Sequence, residues 1–209
     1  MKAKNFIVKG NIGFSESQEK IRTEEQGFEV CLNGVSQGVF SQIPEEFRKL
    51  PVLDFGSNLI LPGLTDLHIH APQYGFRSLG MDLELLEWLN TRTFPEEERY
   101  ENEEYARKGY SIFAEDLKMG ATTRVCAFGT IHRKSTEILM DCLEESGLIS
   151  KVGKVNMDRN GSPGLTEESP EKSLEETLLW LEETKDRYEN VSPLLTPRFV
   201  PSCSDELLK

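Results

Sequence analysis

Two of the chain's three histidines, His68 and His70, stand two positions apart in the run Leu64-Thr65-Asp66-Leu67-His68-Ile69-His70. Side chains on a β-strand alternate faces, so Asp66, His68 and His70 are expected on one face and Leu67 and Ile69 on the other. The two imidazoles would lie about 6–7 Å apart along the strand, near enough for both to lean onto one cation at about 2.0–2.1 Å. Metal ligation is one reading. The other is a polar strand face with hydrogen-bonded histidines, because short motifs also occur by chance.

The elements around this strand indicate what positions it. Residues 1–60 carry short β-like runs at 5–12, 27–34, 38–40 and 52–55, separated by turn residues, and Asn33-Gly34 is a strong hairpin signal because both residues tolerate positive φ. The polar run 15–20 reads as a solvated loop and 43–49 as one short helix. This is a small β-domain.

From residue 61 to 209 strand-like segments alternate with amphipathic stretches, which argues for a parallel α/β sheet or barrel. A short helix is expected at 82–89. A longer one spans 102–119, with Tyr105, Gly109, Ile112, Phe113 and Leu117 on one face and Gly120 as its stop. A strand at 122–128 and a helix from Ser135 to near Gly147 follow. A third strand is expected at 151–157 and a turn-rich loop at 158–164. Ser169-Pro170 then opens a helix whose buried face is marked by Leu174, Leu178 and Leu181. A fourth strand covers 193–200, and 204–208 reads as the first turn of another helix. Four β-α steps are about half of an eight-stranded barrel of roughly 250 residues. The expected fold is therefore the amino-terminal part of a (β/α)8 TIM-like barrel behind a small β-domain, with the barrel incomplete in this chain.

Composition narrows the partners. The 209 residues carry 24 Lys and Arg against 36 Asp and Glu, a net charge of −12, which argues against nucleic acid phosphates and anionic membrane surfaces. No apolar run approaches the roughly 18–20 residues that span a bilayer, and the amino terminus lacks a signal-peptide core, so a cytoplasmic location is expected. Cys31, Cys126, Cys142 and Cys203 form no C-x-x-C pair and read as reduced, mostly buried thiols.

The segment Pro62-Gly63-Leu64-Thr65-Asp66-Leu67-His68-Ile69-His70 resembles the amidohydrolase superfamily, metal-dependent hydrolases whose first barrel strand carries P-G-x-x-D-x-H-x-H. The longer run His70-Ala71-Pro72-Gln73-Tyr74, then Asp82-Leu83, Leu86-Glu87-Trp88-Leu89 and Thr93-Phe94-Pro95, resembles guanine deaminases in particular. So do Gly120-Ala121-Thr122-Thr123, Thr130-Ile131-His132, Gly153 to Asp158 and Thr196-Pro197-Arg198-Phe199.

That resemblance implies that His68 and His70 are zinc ligands, that Gln73 hydrogen-bonds a purine, and that Arg198 and Phe199 hold its polar edge and ring face. Each role suits its side chain: a glutamine donates and accepts, an arginine donates, and a phenylalanine stacks on a flat heterocycle. A salt bridge for Arg198 and core packing for Phe199 are the alternative readings, and each is favoured when its residue is taken singly. His132 matches a family histidine but has no ligand role and reads as a hydrogen-bonded residue at a strand end. Trp88 reads as packing rather than as a pocket cap.

The resemblance further implies guanine as substrate, purine catabolism as setting, and a homodimer for the full-length form. It places the remaining ligands and the acid/base residues beyond Lys209, so no catalytic residue is expected within this chain. Another amidohydrolase acting on an amino-heterocycle, or a non-catalytic fragment, is the alternative.

Overall fold

In the computed structural model, residues 4–209 are described, and they divide into one unit ending at Pro62 and another from Gly63 to Lys209. The first unit is a four-stranded sheet of β1 (Phe6–Ser15), β2 (Ile21–Leu32), β3 (Val35–Phe40) and β4 (Val52–Ile60), in the order β3-β2-β1-β4. The β2–β3 turn has φ of 52° at Asn33 and 80° at Gly34, the two positive values that a tight hairpin demands. Ile7, Ile12 and Val30 form its buried contacts. β2 begins well before the expected 27, and the expected helix at 43–49 is a single 3₁₀ turn, Glu45–Phe47.

The second unit is built on β5 (Leu64–His70), β6 (Thr122–Phe128), β7 (Ile149–Gly153) and β9 (Val191–Pro193), all parallel and in that order. A separate two-stranded parallel pair joins β8 (Val155–Asn156) to β10 (Thr196–Pro197). The expected third and fourth strands are thus each broken in two. In the fourth, Pro193 and Pro197 offer no N–H to a ladder, which restricts how far pairing extends. Gly153 permits the close approach at the break: a Cβ there would stand 2.1 Å from Thr196 Oγ1, which instead bonds Lys154 O at 2.9 Å.

Helices connect the strands. After β5 come α1 (Leu85–Trp88), one π-helical turn at Leu89–Thr93, α2 (Phe94–Glu98) and α3 (Glu103–Met119). α4 (Arg133–Ser146) follows β6, α5 (Pro170–Thr184) precedes β9, and α6 (Asp205–Leu208) closes the described chain. The caps agree with the sequence signals. Asn102 accepts from Tyr105 N at 2.9 Å, Ser169 accepts from Lys172 N at 3.2 Å, and Gly147 ends α4 at φ 79°. The core places Tyr110, Phe113, Leu139, Leu143 and Trp180 of α3, α4 and α5 against Val125, Ala127 and Val152 of the sheet.

Two expected faces are corrected. On α3 the buried stripe is Ala106, Tyr110, Phe113 and Ala114, while Ile112 is 51% exposed. On α5 the buried stripe is Ser173, Thr177, Trp180 and Thr184, and Leu174 and Leu178 point outward at 57% and 56% exposure, with Leu181 half-buried. The reason lies on β8. Asn156 is buried and donates through Nδ2 to Ser173 Oγ and Thr177 Oγ1, each at 2.8 Å, so the hydroxyl side of α5 must face it.

Candidate active site

β5 carries the two histidines to the end of its strand. Strict alternation fails there, since pairing with β6 shifts register between Asp66 and Ile69, and Leu67 is left 74% exposed. The imidazoles still meet, with ring centroids 5.1 Å apart. Both also rest on Phe128 at the end of β6, His70 stacked at 4.7 Å and His68 edge-on at 4.9 Å. Asp66 Oδ1 accepts from His68 N at 3.0 Å.

Electrostatics keep His70 neutral. Burial, then the charge of Arg198 and then His68, lower its pKa to about 3. Its Nδ1 is buried without a hydrogen-bond partner. An unprotonated imidazole with a bare buried nitrogen, beside a second imidazole, fits a soft or borderline cation such as zinc. Among the described residues no group of three or more His, Cys, Asp or Glu is placed to hold a metal.

The next residues turn the chain into a 3₁₀ helix, Ala71–Phe76, on which Gln73 lies. Gln73 Nε2 donates to Glu97 Oε1 of α2 at 2.9 Å. Arg198, directly after β10, forms a two-pronged pair with the same carboxylate: Nη2 donates to Oε1 at 3.1 Å and Nη1 to Oε2 at closer range. Its side chain is 5% exposed and that of Glu97 1%. Arg198 is therefore in a salt bridge, one of the two roles open from sequence, and its charge also reaches His70. Phe199 packs against Leu89, Phe94, Val155, Met157 and Leu165, in company with Phe128, Ile131 and Trp88. Trp88 stacks at a tilt on Phe76 at 5.8 Å and donates Nε1 to Leu79 O at 3.0 Å, so it is a packing residue.

His132 precedes α4; its backbone N donates to Thr130 Oγ1 at 3.2 Å, while its ring Nε2 is buried without a partner. Burial lowers its pKa against the opposing pull of Glu101. It lies along a separate groove with Glu101, Glu103 and Glu167. All four cysteines are free, with Cys142 and Cys203 buried and Cys31 and Cys126 half-buried. No helix of the described residues is long and apolar enough to cross a membrane.

The residue that sequence reasoning missed is Glu97, which lies in the acidic run Glu96-Glu97-Glu98. Glu97 is buried, whereas Glu96 and Glu98 on either side of it are half-buried.

Comparison with known proteins bears on this arrangement. Guanine deaminase of Mus musculus is 42% identical over 167 residues, covering 79% of this chain and 36% of that protein. The crystal structure of guanine deaminase from C. acetobutylicum, with guanine bound in its active site, is 43% identical and superposes with a TM-score of 0.92 over 98% of this chain and 48% of its own. The E. coli guanine deaminase structure is 30% identical, with a TM-score of 0.80 over 99% of this chain and 49% of its own. The chain thus spans half or less of these relatives, resembles the amino-terminal part of guanine deaminases, and has the α/β fold of a partial TIM-like barrel behind a β-sheet unit. The amidohydrolase family model matches residues 59–209, and the chain belongs to the amidohydrolase family.

Proposed function

We propose that this chain supplies the purine-holding and half of the metal-holding machinery of a zinc-dependent guanine deaminase, which converts guanine and water to xanthine and ammonia in purine catabolism. The observation that carries this reading is the convergence of a neutral His70, paired with His68, and an Arg198 whose charge reaches it, in a chain about 40% identical to guanine deaminases. His68 and His70 would hold the zinc. Zinc in such a site supplies a water acidified towards a pKa of about 7, a nucleophile at neutral pH. Gln73 and Arg198 bind and orient the polar edge of the purine, and Phe199 lies against its ring. Four free thiols accord with a reducing compartment, and we place the protein in the cytoplasm.

The test is a chimera that joins residues 1–209 to the remaining part of the C. acetobutylicum enzyme. Zinc-dependent release of xanthine from guanine is expected, and its loss in the His70→Ala chimera. A folded, zinc-loaded chimera that leaves guanine intact overturns the assignment.

A further inference from the structure

Both oxygens of Glu97 are occupied by the two side chains assigned to the purine edge. Oε1 accepts from Gln73 Nε2 at 2.9 Å and from Arg198 Nη2 at 3.1 Å, and Oε2 accepts from Arg198 Nη1. Glu97 itself is fully buried on α2, so its carboxylate reaches solvent nowhere and is spent on these partners.

The chemistry of the acceptor fixes the orientation of the donor. A carboxylate paired with a guanidinium is ionised and can only accept. A glutamine amide set against it must therefore turn its NH₂ group inward, which leaves Gln73 Oε1 directed away as a free acceptor. Arg198 is held in the same grip, and the guanidinium lies 5.4 Å from the centroid of the Phe94 ring. Its N–H groups not bonded to Glu97 remain as donors.

We propose that Glu97 is the positioning residue that sets the donor–acceptor pattern of this pocket, an acceptor from Gln73 beside donors from Arg198. That pattern selects a flat heterocycle whose edge carries an N–H next to a carbonyl, as guanine does and unsubstituted purine does not. The proposal rests on the purine reading above for its ligand, and on the geometry alone for the hold on Gln73. With the glutamine amide reversed, the pocket would present donors on both sides and would prefer a ligand with two adjacent acceptors.

Glu97→Gln in the 209-residue chain tests this, because a neutral amide both donates and accepts and no longer dictates which way Gln73 turns. In the unaltered protein the side-chain NH₂ of Gln73 and the Nε–H of Arg198 should give distinct, slowly exchanging nitrogen–proton NMR signals. In E97Q both should shift and exchange faster, and the preference for guanine over purine, measured by calorimetric titration, should fall by about tenfold, close to one hydrogen bond's share. Gln73 and Arg198 signals that are identical in the two proteins overturn the proposal. So does a Gln73 amide that exchanges at the free-peptide rate in the unaltered chain, a measurement that stands even where E97Q fails to fold. If the unaltered chain binds neither purine while the Gln73 signals move in E97Q, the hold of Glu97 is supported and the purine reading is what fails.

Discussion

The corner formed by Gln73, Glu97 and Arg198 and the corner formed by His68 and His70 are finished to different degrees. In the first, a buried carboxylate has a donor for each oxygen, supplied from segments 24 and 101 residues away. In the second, two imidazoles face each other on a strand at the edge of its sheet, one with a buried nitrogen that bonds nothing. Hydrogen bonding is complete at the first corner and left open at the second. A completed ion pair organises a pocket before any ligand arrives, whereas a bare imidazole waits for one.

Arg198→Ala attacks the finished corner and should have the largest effect. Stranding Glu97 as a buried, unpaired charge should cost about 3–5 kcal/mol in urea denaturation. A loss below about 1 kcal/mol would mean that water reaches the carboxylate and that the corner is open. At the other corner, Zn²⁺ at ten times its dissociation constant should raise stability by about 1.4 kcal/mol through mass action. His68→Ala and His70→Ala should each remove that rise, and Gln73→Ala should not. A rise that survives both histidine variants would place the metal elsewhere.

Without metal, His70→Asn should shift stability by less than about 1 kcal/mol, since no hydrogen bond to Nδ1 is lost. The smallest effect concerns His132, which also has a bare nitrogen but no imidazole partner described beside it. Its folded pKa lies below the unfolded value of about 6.5, so the unfolded chain binds the extra proton. Stability is full above about pH 6.5 and falls as pH drops below it. His132→Asn should flatten part of that fall and leave the zinc-induced rise unchanged. Loss of the zinc effect in this variant would join His132 to the metal corner.

The sequence made some of this legible. H-x-H spacing, turn chemistry at Asn33-Gly34 and the caps at Asn102, Ser169 and Gly147 all act locally, so residue type and order suffice to read them. Gln73, Arg198 and Phe199 were visible only through family resemblance, because an isolated arginine or phenylalanine serves equally in a salt bridge or a core. Glu97 was hidden because its neighbours Glu96 and Glu98 are also acidic, and only a partner 101 residues away singles it out. The face of α5 was misread for a related reason. Hydrophobic periodicity favours Leu174 and Leu178, yet the hydrogen bonds of Asn156 recruit Ser173 and Thr177 and leave the leucines outside.

The π-helical turn at Leu89–Thr93 sets the rotational phase of everything that follows it in that helical stretch. Such a turn accommodates one residue more than an α-helical turn. Rewinding that turn as α-helix with no residue removed would advance the downstream segment by about 100° and 1.5 Å. Glu97 would then leave the wall and Glu96 would take its azimuth. The hold proposed for Glu97 on Gln73 and Arg198 thus depends on the winding of Leu89–Thr93 as well as on which acidic residue stands at position 97.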